Sequence, residues 1–142
     1  MQQALDLAKK AAQKGEVPVG AVIVKDGKVI AAAHNLTETN NDPCAHAELL
    51  AIRAACDRLE STRLPDCDLY VTLEPCAMCA AAISFGRIRR LYFGAYDPKG
   101  GGVEHGGRFY QQSTCHHAPE VVGGMMESDC ALALKEFFSD KR

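Results

Sequence analysis

Apolar and polar positions follow two rhythms along this chain, and the switches between them mark out its elements. From Gln2 to Lys14, alanine, leucine and lysine recur at helical spacing, which predicts an amphipathic helix stopped by Gly15. Val17 to Val24 is a β-branched run; Lys25-Asp26-Gly27-Lys28 breaks it and Val29 to Ala33 resumes it. Asp-Gly between two apolar runs is a strong hairpin signal. His34 to Pro43 is polar and loop-like. Ala45 to Leu59 is helical again, with Leu49, Leu50, Ile52 and Ala55 expected to face inward. Asp68 to Leu73 predicts a strand, Cys76 to Phe85 an alanine-rich helix, and Ile88 to Ala95 a further strand. Strand, helix, strand in so short a span is expected to be a parallel crossover. Lys99 to Gly107 is a glycine-rich loop placed to cover a pocket or a partner. Val121-Val122 marks a short last strand, and Ser128 to Phe138 a closing helix capped by Ser128 or Asp129. The pattern predicts an α/β chain: a three-layer α/β/α fold around a central mixed sheet of about five strands. No internal repeat or linker divides it.

Composition narrows the class. A chain of 142 residues fits one domain spanning 1–142. Its longest apolar runs fall far short of the roughly 20 residues that span a bilayer. No basic leader opens it, so export is not expected. The seven cysteines are an odd number without a disulfide-framework spacing. Close-set cysteines in a reducing compartment are more often metal ligands, so a cytoplasmic location is expected. A formal net charge of −2 offers no whole-protein attraction to nucleic acid. Local basic patches would have to hold such a partner. The best cluster is Arg87, Arg89 and Arg90, with Arg108, Lys135, Lys141 and Arg142 as additions; by charge alone, an ordinary solvated face is an equal reading. Phe109 and Tyr110 either stack on an RNA base or pack back into the core, and packing back is the favoured reading.

Two short motifs carry chemistry: His46-Ala47-Glu48 and Pro75-Cys76-Ala77-Met78-Cys79. One histidine and two cysteines make three good zinc ligands, and a catalytic zinc keeps its fourth position open. Three ligands beside an unligated glutamate point to catalysis rather than a structural clip. Cys76 and Cys79 are three apart, so both thiols can face one metal from a helix's first turn. The helix N-terminus and the metal both favour thiolate. Pro75 suits the start of that helix, where a missing N–H matters little. His46 and Glu48 lie two apart, a rotation of about 200° on a regular helix. They are therefore expected at a helix's N-terminal edge, with the metal under its end. Zinc lowers the pKa of bound water from 15.7 to about 7, giving a zinc-bound hydroxide as nucleophile. Glu48 would take the proton and pass it to the ring nitrogen and the departing ammonia.

These motifs and their surroundings resemble the bacterial tRNA adenosine deaminases of the cytidine deaminase-like superfamily, themselves a standard case of this zinc signature. The resemblance runs over nearly the whole chain: 16–22, 34–35, 42–48, 70–79, 93–97 and the Phe137-Phe138 ending. It implies one zinc per subunit on His46, Cys76 and Cys79, and Glu48 as proton shuttle. It further implies that Asn35 hydrogen-bonds the flipped base and that Asp97 lies near its ribose. The implied substrate is the wobble adenosine of an arginine tRNA anticodon loop, converted to inosine by a homodimer. Two departures stand out. The family usually carries a few more residues before its first helix, and Cys44 stands where a hydroxyl residue is common. That thiol is expected to be a spectator.

Alternatives remain at this point. A free-base guanine deaminase shares the metal motif; a non-catalytic RNA-binding subunit of the same fold is disfavoured because Glu48 is present. Cys56, Cys67, Cys115 and Cys130 read as small buried hydrophobes or incidental thiols. His116-His117 is more readily a surface pair than a second metal site. His105 has no partner that the sequence identifies, and Asn35, apart from the resemblance, reads equally as a turn residue.

Overall fold

The computed structural model describes residues 1–140, so Lys141 and Arg142 lie outside the described residues. Helix α1 spans Gln2–Gln13 and buries Ala4, Leu5, Ala8 and Ala11, a stripe at three- and four-residue spacing. It ends at Lys14, with Gly15 at φ +77°. Strands β1 (Gly20–Lys25) and β2 (Lys28–His34) form the expected hairpin. Both turn residues, Asp26 (φ 51°) and Gly27 (φ 75°), are left-handed, the geometry that matches strand twist. The first strand begins later than Val17, where the sequence places it. Pro18 offers no N–H to a ladder, and the Val19 N–H closes on the Val17 carbonyl at 2.8 Å.

Helix α2 covers Ala47–Leu59, β3 Cys67–Leu73, α3 Ala77–Phe85 and β4 Arg90–Ala95. A short β5 (Glu120–Val122) and α4 (Glu127–Asp140) follow. The sheet runs β2-β1-β3-β4-β5. β1 is antiparallel to β2 and β3, whereas β3, β4 and β5 are parallel, so the sheet is mixed as expected. α1 and α4 pack together against one face, and α2 and α3 against the other. Sheet residues covered on both sides can be continuously apolar. Leu69, Val71, Leu91 and Phe93 are fully buried and meet Ile83 of α3 and Ala51 and Ala55 of α2 in one core. Each such large side chain contributes about 1.5–3 kcal/mol relative to exposure.

Two further details differ from the sequence pattern. The buried face of α2 is Ala47, Glu48, Ala51, Ile52 and Ala55, while Leu49 and Leu50 are only half-buried. Small alanines let the helix lie close on the sheet, which turns the leucines to its flanks. α4 starts at Glu127, so Ser128 and Asp129 sit inside its first turn rather than capping it. Met126, left-handed at φ 54°, sets that start one residue early. The topology also fixes where a site can form. Because β1 runs against both β2 and β3, the ends of β2, β3 and β4 share one edge of the sheet. The N-termini of α2 and α3 open on that same edge.

Candidate metal centre

His46 stands just outside α2 with extended backbone (φ −74°, ψ 150°), and Cys76 just outside α3 in the same way (φ −70°, ψ 175°). Glu48 lies within the first turn of α2, and Cys79 within the first turn of α3. Thus His46 and Glu48 do lie at a helix's N-terminal edge, where the two-residue spacing no longer separates them by helical rotation. The His46 Nδ1 atom is 3.6 Å from Cys76 Sγ and 3.5 Å from Cys79 Sγ. A tetrahedral zinc at ordinary bond lengths would set nitrogen and sulfur ligands about 3.6 Å apart. All three ligand atoms lie within 4.8 Å of one another, and no other such group occurs among the described residues. The donor set and its spacing fit one zinc ion.

Electrostatics argue the same way. The Cys76 thiol is held far below the ordinary range, to about 4, by a hydrogen bond from Cys79 and, against the burial that opposes it, by His46. Cys79 is pushed upward, first by the Cys76 thiolate, then by burial and the Glu48 charge. One thiolate is therefore easy and the second is not, until a dication compensates both. His46 is raised, chiefly by its hydrogen bond to Cys76. Glu48 is buried, and burial is the main cause that pushes its carboxyl up to about 7. It does not join the three-ligand group, which leaves it available to move a proton.

A cleft of about 290 Å³ opens over this centre, the scale of a small-ligand site. Asn35, Thr37, Val17 and Val19 form one wall, and Glu74, Asp97 and Gly100 another. Asn35 is buried, yet among the described residues none hydrogen-bonds its side-chain amide, and that amide is not sealed from the cleft. Its amide is free to meet a ligand. Asp97 uses one carboxylate oxygen, Oδ1, to accept the Lys99 and Gly100 N–H groups at 3.2 and 3.0 Å. A larger groove of about 730 Å³ between α1 and α4 contains none of the candidate site residues.

Two buried acids that the sequence reading missed hold the walls. Glu16 accepts the N–H groups of Glu38 and Thr39 and the Thr39 hydroxyl. Burial alone would raise its carboxyl, but these hydrogen bonds hold it below the ordinary range. Glu74, also buried, accepts N–H groups from Asp97, Val103, Glu104 and His105. Here too burial is outweighed, first by the Asp97 N–H and then by His105, and the carboxyl is held low. The only sequence signal is position: an acid at the end of an apolar strand, or between a helix stop and a valine run. Glu74 also supplies the missing partner of His105, whose Nδ1 lies 2.8 Å from Oε1.

Arg89 forms a bidentate pair with Asp68, Arg90 pairs with Glu120, and Arg87 donates to the Ser84 carbonyl. Arg89 and Arg90 keep 47% and 42% of their side-chain surface exposed in these pairs. Arg108 and Lys135 are exposed. Tyr110 donates its hydroxyl to the Ala80 carbonyl and packs with Phe109 against the core. Cys67 and Cys130 are buried hydrophobes, and Cys56 and Cys115 are half-buried free thiols. Cys44 stands outside the ligand group, its N–H donating to Asp42. His116 is exposed, and the His117 ring meets the Ile88 carbonyl.

Comparison with known proteins places this geometry. The cytidine and deoxycytidylate deaminase zinc-binding region matches residues 1–95. A tRNA-specific adenosine deaminase of Agrobacterium fabrum (strain C58) is 60% identical over 142 residues, covering 100% of this chain and 93% of its own. One from Bacillus subtilis (strain 168) is 48% identical over 142 residues, covering 100% and 88%. A solved structure from work on A-to-I editing by tRNA:A34 deaminases at the wobble position superposes with a TM-score of 0.93. It is 60% identical and covers 94% of this chain and 97% of that one. Guanine deaminase from Bacillus subtilis superposes with a TM-score of 0.65 at 46% identity, covering 67% and 61%.

Proposed function

The chain belongs to the cytidine and deoxycytidylate deaminase zinc-binding family, and from that premise we propose that it deaminates adenosine to inosine at the wobble position of a tRNA anticodon. The observation that carries this reading is whole-chain likeness to tRNA-specific adenosine deaminases, up to 60% identity across all 142 residues. The Bacillus subtilis guanine deaminase, at 46% identity, covers 67% of this chain by comparison. No helix among the described residues is long and apolar enough to cross a membrane.

His46, Cys76 and Cys79 would hold the zinc, which when bound lowers the pKa of a water molecule toward neutrality. Glu48 accepts the proton of the attacking water, since it is buried beside the ligands without being one of them. It delivers that proton to the adenine N1 as the water oxygen bonds C6. A second proton passes through the same carboxylate to the exocyclic nitrogen, the C6–N bond breaks, and ammonia leaves with inosine formed. Water is the only co-reactant. Asn35 orients the base through its unengaged amide, and Asp97 meets the ribose with the carboxylate oxygen that the loop leaves free. The target nucleotide must be unstacked to enter a cleft of this size. The substrate is an arginine tRNA, the working unit a homodimer and its place the cytoplasm.

Zinc-loaded protein should be offered an arginine-tRNA anticodon stem–loop and, separately, guanine. Inosine from the stem–loop without ammonia from guanine is the expected result. Ammonia from guanine alone would overturn the substrate assignment.

A further inference from the structure

The glycine-rich segment from Asp97 to Gly107 has no helix or strand of its own for most of its length, yet it supplies one wall of the cleft. What shapes it is a single side chain. The Glu74 carboxylate is fully buried. Its Oε1 accepts the Asp97 N–H at 3.0 Å and lies 2.8 Å from His105 Nδ1. Its Oε2 accepts the N–H groups of Val103, Glu104 and His105 at 3.2, 2.9 and 3.2 Å. Both ends of the loop therefore close on one carboxylate. The loop's middle is pressed onto it as well, because a Cβ at Gly101 would run into the Glu74 carboxyl group. A buried carboxylate without these donors would be strongly unfavourable, so loop and anchor are mutually dependent.

We propose that Glu74 is a positioning residue: by gathering the 97–105 loop it fixes Asp97 and Gly100 as the wall that receives the substrate's sugar. This rests on the reading of the cleft as a nucleoside site. Glu74 continues β3 and directly precedes Pro75 and Cys76, so one short segment sets both the metal-ligand helix and the opposite wall. The Gly102 N–H, donated to the Pro75 carbonyl at 2.8 Å, ties loop and ligand segment a second time.

The test compares wild type, Glu74→Gln, Gly101→Ala, Asp97→Ala and the Glu74→Gln/Asp97→Ala pair, all zinc-loaded. Three quantities are read: amide hydrogen exchange across 97–105, zinc content, and KM and kcat on the stem–loop. Glu74→Gln is expected to lose exchange protection in the loop, keep its zinc, and raise KM roughly ten- to hundredfold with a much smaller change in kcat. In the Asp97→Ala background the same substitution should add less than about twofold, because both act through one wall. Gly101→Ala leaves the carboxylate in place and displaces the loop from the other side. It should give the same rise in KM, and it stands in if Glu74→Gln fails to fold. Unchanged loop protection, an effect confined to kcat, or a full KM effect in the Asp97→Ala background would each overturn the proposal. If the wild type makes no inosine, the nucleoside reading fails instead, and the exchange data still judge the anchor.

Discussion

Replacing Glu48 with glutamine keeps the side chain's shape and removes its charge, so it separates catalysis from stability at one position. Glu48 is 4% exposed, and burial is the leading cause that moves its carboxyl from 4.5 up to about 7. At 1.36 kcal/mol per pH unit, that difference corresponds to about 3 kcal/mol against the ionised form in the metal-free fold. The sign follows from proton counts. Between pH 4.5 and about 7 the native state binds more protons at this group than the unfolded chain does. Stability therefore falls as pH rises through that window and is level above it. Glutamine does not titrate, although burying its amide has an unfavourable term of about 1–3 kcal/mol of its own. In urea unfolding of metal-free, reduced protein, Glu48→Gln should exceed wild type by about 1–2 kcal/mol at pH 8. Below pH 4.5 it should show no advantage. Zinc-loaded, the same variant should lose about 10²- to 10⁴-fold in inosine formation, the usual scale of a positioned acid–base group. A variant less stable than wild type at pH 8, or one that keeps its rate, would refute the reasoning.

Removing zinc with a chelator should lower the thermal midpoint; holding zinc at a thousandfold its dissociation constant stabilises by about 4 kcal/mol, and Cys76→Ser should lose most of that response in calorimetry. Asn35→Ala should raise KM for the stem–loop while shifting the urea midpoint little, since its amide has no protein partner to lose among the described residues. Phe93→Ala should destabilise by about 3–5 kcal/mol, because the ring is fully buried in β4 and meets Tyr96 edge-on at 5.0 Å; equilibrium unfolding of the holoprotein measures it.

The metal centre was legible because its residues obey local geometry. Cys76 and Cys79 declare a helix start, and the two-residue step from His46 to Glu48 makes sense only at a helix edge, where the structure has it. The hairpin was equally legible, since Asp26-Gly27 requires positive φ at both positions. The acids that shape the cleft were not. Glu16 and Glu74 bind backbone N–H groups 22 to 31 residues away, and no short-range pattern encodes that closure. The same holds for the arginines: the acids that pair with Arg89 and Arg90, Asp68 and Glu120, come beside them only through strand pairing. Strand β1 shifted for a local reason, Pro18, that outweighed the apolar run around it.

The most direct single test is to titrate metal-free protein with zinc and follow inosine in an arginine-tRNA anticodon stem–loop. Activity should rise linearly and break at one zinc per chain. Inosine formed with the metal chelated, or none formed at full zinc occupancy, would contradict it.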